Sequence, residues 1–377
     1  LGDVGLRSLN LALALGIGAN TVVMSWIRST LLNSIPGAAE PSRLVVVAPV
    51  HPEAGVSDTM SLADIEALRG PGSPFERIAG SQIDVLGVRE GPGQPVEWIW
   101  GQPVEAGFFD VVGVQPALGR FFQPGEDHPG AAEGVVVISH RYWQRRFGGA
   151  PNVLGRVLDL NERPVTVVGV APPEFRGTMG GLELDIWAPL PAVTSPAALR
   201  QRAESHGWRW LHTVARLRDG ISRDKAAATA AAIAARIAQD HPRENRDTSF
   251  AVLPLWESPW GGQEIFLPLL RVLAVVALLL FGLVMANIAN LLLARAQSRE
   301  GEVAVRLALG ASPIRILSQF LGEGLVLAVL GGVFGVALAR LGAHALLGLM
   351  PPTYLPIAYD FPKDPAEDRS EEHTSEL

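Results

Sequence analysis

No cysteine occurs among the 377 residues, which excludes disulfides and thiolate metal sites. Lysine is nearly missing too: it stands only at Lys225 and Lys363, and neither follows a glycine. The chain therefore has no Gly-Lys-Ser/Thr phosphate loop, and if ATP drives it, another chain hydrolyses the ATP. Charge is scarce, with 18% charged residues against 48% hydrophobic ones and a formal net charge of −7. That balance excludes a disordered chain and leaves no basic field for nucleic acid. Catalytic patterns are also lacking. His128, His140, His206, His212 and His241 are scattered without an HExxH pair, and no G-x-S-x-G elbow is present. The sequence thus predicts no enzyme, no cofactor and no metal. Without disulfides, residues 36–264 must be stable from their core alone, for which the segment is long enough.

What the sequence does have is three apolar stretches, at about 9–32, 271–294 and 320–339. Each approaches the roughly 20 residues that cross a bilayer, and the expected fold class is an α-helical membrane bundle with a large α+β extracytoplasmic domain. A signal peptide cut after Ala39 is the alternative for the first stretch, although its apolar run is long for one. Asn287 and Asn290 share one face of the second stretch and suit either interhelical hydrogen bonds or interfacial wetting. In the third, Gly324, Ala328, Gly331, Gly332 and Gly335 fall in small-xxx-small spacings that let helix backbones approach closely. Glu323 lies near its start, as a functional carboxylate or an interfacial one. Arg295, Arg299, Arg306 and Arg315 lie between the second and third stretches and make that loop cytoplasmic by the positive-inside rule. The segment between the first and second stretches is then extracytoplasmic.

The loop itself draws a short amphipathic helix. Val303, Ala304, Leu307, Ala308 and Ala311 share one face, and Glu302 pairs with Arg306 at i,i+4 on another. Gly310 ends the helix, and Ser312 with Pro313 starts a new one. Such a helix lies on lipid or docks in a partner's groove; a narrow, Ala-rich apolar face favours docking.

Residues 36–264 read as α+β in two lobes. A strand is expected over 43–50. Ser61 with Asp64 forms a capping-box pattern, Ser139 caps the RYWQRRF helix, and Ser222 opens an Ala-rich helix ending at His241-Pro242. Asn161, Glu162 and Arg163 form a three-residue hairpin loop. Asp110, Glu126 and Asp127 read as solvated loop charge. The alternating Trp98/Trp100 and Trp208/Trp210 read as core or interface packing rather than a ligand wall.

The stretch NIANLLLARAQSREGEVAVRLALGASPIRILSQFLGEGLVLAVLGGVFGVALA resembles the FtsX/MacB-type permease domain of ABC transporters. LALGIGANTVVMSWIRSTLL resembles the first membrane helix of the same proteins. VEAGFFDVVGVQPALGRFF, SHRYWQRRFGG, GRVLDLNERPVTVVGVAPPEF and DIWAPL are similar to the MacB-like periplasmic core domain. Within that family the chain resembles the duplicated acidobacterial permeases, which carry no fused ATPase. Their usual Arg run before EVAVR is thinner here, with Gln297, Ser298 and Glu300 in its place. The resemblance implies a multi-pass protein of the bacterial inner membrane and a separate P-loop ATPase subunit. It also implies a dimer or duplicated half in the lipid bilayer, and substrates handled outside that membrane. It assigns ATPase coupling to Arg299, Glu302, Arg306, Leu307 and Gly310. Expected boundaries are a first helix at 1–35, the core domain at 36–264, the permease domain at 265–350 and the start of an outer connection at 351–368. Residues 369–377, RSEEHTSEL, match a translated sequencing adapter, so Glu371, Glu372 and His373 are set aside and the frame is expected to continue. The rival readings are a membrane-anchored sensor, whose cytoplasmic loop would tolerate charge reversal, and a tethered hydrolase, which would need a nucleophile–base set.

Overall fold

The computed structural model describes residues 35–259, apart from 92, 128–133 and 180–181, together with separate helical positions between 271 and 305. The chain divides into two units. One comprises Thr30–Ile265 and Thr353–Ala358; the other comprises Leu1–Ser29, Phe266–Pro352 and Tyr359–Leu377.

The first unit is built from thirteen strands and six α-helices among the described residues. The strands are β1 (Leu44–His51), β2 (Gly55–Val56), β3 (Met60–Ser61), β4 (Phe75–Ser81), β5 (Asp84–Arg89), β6 (Glu97–Val104), β7 (Leu118–Gly119), β8 (Gly134–Ile138), β9 (Val157–Leu160), β10 (Arg163–Val170), β11 (Ile186–Pro189), β12 (Arg209–Leu217) and β13 (Ser249–Pro254). The helices are α1 (Leu62–Leu68), α2 (Phe108–Val112), α3 (His140–Phe147), α4 (Leu190–Val193), α5 (Pro196–Ala203) and α6 (Arg223–Asp240).

Two lobes follow from the pairing. In the first lobe the order is β4-β12-β1-β13, antiparallel throughout. In chain order it reads β1-α1-β4, then β12-α6-β13, which is a split βαβ arrangement of the ferredoxin-like kind. The second lobe is inserted between β4 and β12. There β5, β6, β11, β8, β10 and β9 pair in a ring, because β11 pairs with β6 as well as with β8. Closure leaves this sheet no free edge.

Local sequence accounts for many of these elements. β1 is covered on both faces. Val45 and Val47 pack with Ile65, Leu68, Ala226, Ala230 and Ala234 of α1 and α6, while Leu44, Val46 and Ala48 pack with α2. A strand buried on both sides reads as an unbroken apolar run. Small residues on α6 let its backbone come down onto the sheet. Ser61, Ser139 and Ser222 each accept a hydrogen bond from the backbone three residues on, which fixes the starts of α1, α3 and α6. The expected three-residue hairpin loop is shorter. Arg163 already pairs with Leu160, and the turn is Asn161-Glu162, both at positive φ, as a two-residue type I′ turn requires.

The expected membrane bundle is corrected by this structure. The described residues form a mixed α/β, sheet-rich body, and among them no helix is long and apolar enough to cross a membrane. The runs 9–32 and 320–339 lie outside the described residues, and within 271–294 only separate helical positions are described. A rule keyed to unbroken apolar length weights those runs. Within residues 35–259 apolar side chains are buried in strands and short helices, and a run as short as Leu44–Ala48 is covered on both sides.

Candidate functional site

The residues expected to couple to an ATPase, Arg299, Glu302, Arg306, Leu307 and Gly310, lie outside the described residues. So do the helix-packing positions Gly324, Ala328, Gly331, Gly332 and Gly335. Within the described domain, the barrel meets the first lobe at a buried joint.

The two sheets touch through one register pair, Ser81 on β4 with Val104 on β6. Around it runs a chain of buried polar groups. The Trp187 indole N–H donates to Gln102 Oε1 at 3.0 Å, and the Gln102 amide donates to Ser81 Oγ at 3.1 Å and Thr178 Oγ1 at 2.8 Å. A satisfied buried network of this kind fixes one arrangement, because any slip leaves a polar group unpaired.

One residue beyond β6 stands Glu105, 8% exposed. Its Oε2 accepts from the Gly80 backbone at 2.6 Å and from Arg69 at 2.7 Å. Arg69 also donates to the Ile78 carbonyl and pairs with Glu66. Burial pushes the Glu105 carboxyl above its usual range, against the pull of Arg69 and the Gly80 N–H. Gly80 leaves no room for a side chain: a Cβ there would lie 2.8 Å from Leu211 Cδ1.

The motif VEAGFFDVVGVQPALGRFF supplies the apolar half of the joint. Phe109 is its hub. It stacks on Phe121 at 3.9 Å between centroids and meets Phe122, Phe175 and Trp187 at 5.6–5.9 Å. Aromatic pairs in such geometries add about 0.5–1.5 kcal/mol each beyond burial. From the sheet side, Arg216 on β12 donates to the carbonyls of Val111, Val112 and Ala39 at 2.9–3.0 Å, which satisfies the open C-terminus of α2. Gly119 explains the glycine in PALGRFF. It sits at φ +73 opposite Gly169, and a Cβ on it would collide with the Val168 carbonyl.

Other singled-out residues have structural places. Asp110 is exposed and pairs with Arg77, in keeping with solvated charge. Glu126 differs, since it takes Arg120 and the Gln123 N–H and its carboxyl is held below the usual range; Asp127 accepts from the Ala106 N–H. Trp98 is 70% exposed on the barrel, whereas Trp100 packs against the joint. Trp208 is exposed and Trp210 packs on the first lobe, with Arg202 lying over both rings. Among the described residues, no group of three His, Asp or Glu side chains is placed to hold a metal ion. The reading of the sequence missed one cluster. Asp64 does not return to the Ser61 N–H as a capping box would have it; its carboxylate accepts instead from His206 at 2.5 Å and Asn245 at 3.2 Å. A carboxylate three residues after a serine cap looks the same in sequence either way.

A split βαβ lobe carrying an inserted, closed barrel and locked to it at a buried joint defines the class: a two-lobed α/β core domain. The chain belongs to the MacB-like periplasmic core domain family, whose model matches residues 10–233, and an FtsX-like permease C-terminal segment matches 274–364. It is 27% identical to the macrolide export ATP-binding/permease protein MacB of Burkholderia thailandensis, over 89% of this chain and 48% of that protein. It is 30% identical to the protein of the same name in Chromobacterium violaceum, over 62% of this chain and 33% of that protein. The chain thus spans about half or less of the length of these relatives. The periplasmic region of MacB from Actinobacillus actinomycetemcomitans superposes with a TM-score of 0.41 at 16% identity, covering 62% of this chain and 94% of that one.

Proposed function

We propose that this chain serves as the permease subunit of an ABC-type transporter at the bacterial inner membrane, its two-lobed domain lying on the outer side. A separate ATPase changes state on binding ATP, and the segment with Arg299, Glu302, Arg306, Leu307 and Gly310 transmits that change to the outer domain. The observation that carries this reading is the order of family matches: a periplasmic core domain followed directly by an FtsX-like permease segment. The names of the relatives support it by joining ATP-binding and permease functions. Coupling requires that the 295–312 segment bind two ATPase states with different affinity. A pair of chains, or a duplicated half, gives each ATPase of a dimer one such contact. Close packing within the permease segment falls to Gly324, Ala328, Gly331, Gly332 and Gly335.

The test is Gly310→Val in the full-length protein, assayed with its co-purified ATPase. The proposal predicts that the permease-dependent part of ATP hydrolysis falls about tenfold or more, as losing the sharp helix end would cause. Unchanged coupling, or no ATPase recovered with the wild-type chain, would overturn the assignment.

A further inference from the structure

The ring of strands leaves the barrel no free backbone edge, so whatever binds its wall must do so through side chains. Along β5, β6 and β9 the residues alternate. Leu86, Val88, Ile99, Leu158 and Leu160 fill the interior, which turns Val85, Gly87, Arg89, Trp98, Val157 and Asp159 outward. Trp98 is 70% exposed and Val157 58% exposed, and Val85 and Val96 are exposed beside them. Gly87 stands opposite Trp98 in the register, and its missing side chain lets Val96 and Trp98 converge over it: a Cβ there would lie 3.0 Å from Val96 Cγ1 and 3.3 Å from Trp98 Cζ3. In the row between Trp98 and Val157 stand two charges of opposite sign. Arg89 and Asp159 are register partners, yet among the described residues neither makes an ion pair or a side-chain hydrogen bond, and Arg89 Nε is buried without an acceptor. By contrast, Arg146 and Arg156 both reach the carboxylate of Glu90, the next residue along.

We propose that this outward face of β5, β6 and β9 is a contact between two copies of the chain. A patch that carries an unmatched cation and an unmatched anion side by side is complementary to itself. A twofold axis running along the strands between β5 and β9 sets Arg89 of each copy against Asp159 of the other. A purely acidic or purely basic partner would satisfy only one of the two. Val157 on β9 stands about half a strand spacing from that axis, so the two copies of Val157 face each other at about 10 Å, the distance between packed sheets. The apolar area is on the order of 400 Å², about half of the ~800 Å² per partner in a stable interface. The face therefore does not hold two copies together by itself. It fixes the approach of copies already paired as the proposed function has them, at the high local concentration that pairing gives, and the contact rests on that pairing.

The chain has no cysteine, so a single introduced cysteine reports a contact without background. The experiment co-expresses two differently tagged copies of the full-length chain carrying Val157→Cys and treats the membranes with a bismaleimide of about 10 Å reach. The contact predicts a cross-linked homodimer at about fivefold or more the yield from Val56→Cys, an exposed valine on β2 of the first lobe. Added to both copies, Arg89→Glu should cut that yield about fivefold, and so should Asp159→Arg. Arg89→Glu in one copy with Asp159→Arg in the other should restore it, which a role within one chain cannot do and which shows that both variants are folded. Equal yields at Val157 and Val56, or no rescue across copies, would overturn the contact; if the tags still co-purify, the pairing stands and only this face falls. Tags that never co-purify would overturn both. A cross-linked product of another mass would place a different protein on the face and overturn the contact as well.

Discussion

The two lobes solve the problem of a finite sheet differently. The barrel closes on itself, and its interior is filled by side chains such as Leu86, Ile99, Val136, Leu158, Val167 and Ile186, with Tyr142 of α3 packed against them. Gly101 marks how tight that interior is, since a Cβ there would collide with Leu86 and lie 2.8 Å from Ile186. The first lobe is open. Helices cover one of its faces and the joint covers the other, but the end of its strands is held by Arg209, Asp64 and histidines. Closure by backbone pairing is insensitive to pH, whereas closure by titrating side chains is not. The difference assigns a pH-insensitive closure to the barrel and a pH-sensitive one to the end of the open lobe.

That contrast breaks most readily at the joint. Phe109→Ala removes the hub of five ring contacts and should cost about 3–5 kcal/mol in denaturant unfolding. A loss below about 1 kcal/mol would show that the aromatic block is not what holds the lobes together. Glu105→Gln keeps the shape but removes the charge facing Arg69, and should cost about 1–3 kcal/mol. Ser139→Ala removes the α3 cap and should cost about 1 kcal/mol, too little to separate the lobes, with the loss appearing in barrel peptides by hydrogen exchange. The smallest effect is that of pH. His51 and His212 have lowered values, so their contribution to stability is present above the unfolded histidine value of 6.5 and is lost as pH falls through the lowered folded values. Glu105 works the other way: its raised carboxyl contributes below 4.5 and loses that contribution as pH rises through the folded value. A stability curve flat from about pH 7 to about pH 5 would remove the distinction between the lobes.

Elements governed by neighbours in sequence were legible in it. The caps at Ser61, Ser139 and Ser222, the strand at 43–50 and the end of α6 before Pro242 each depend on residues a few positions apart. The hairpin was placed correctly but one residue too long, because Asn161 and Glu162 adopt positive φ and leave Arg163 free to pair. What sequence did not reveal depends on distant partners. Nothing local announces that β11 closes the barrel on β6, or that Phe109 gathers rings from as far away as Trp187. Asp64 had a local role ready for it and instead binds His206 and Asn245, 142 and 181 residues on. The coupling residues were chosen by resemblance and fall outside the described residues, so their part in function rests on the Gly310 experiment.

The central claim is that barrel and lobe are locked into one mechanical body at the joint. Hydrogen exchange followed through a urea titration of the full-length chain tests it most directly, comparing peptides from β10 in the barrel with peptides from β1 in the open lobe. The account predicts one shared midpoint in the wild type and two separated midpoints in Phe109→Ala. Separate midpoints in the wild type would contradict it.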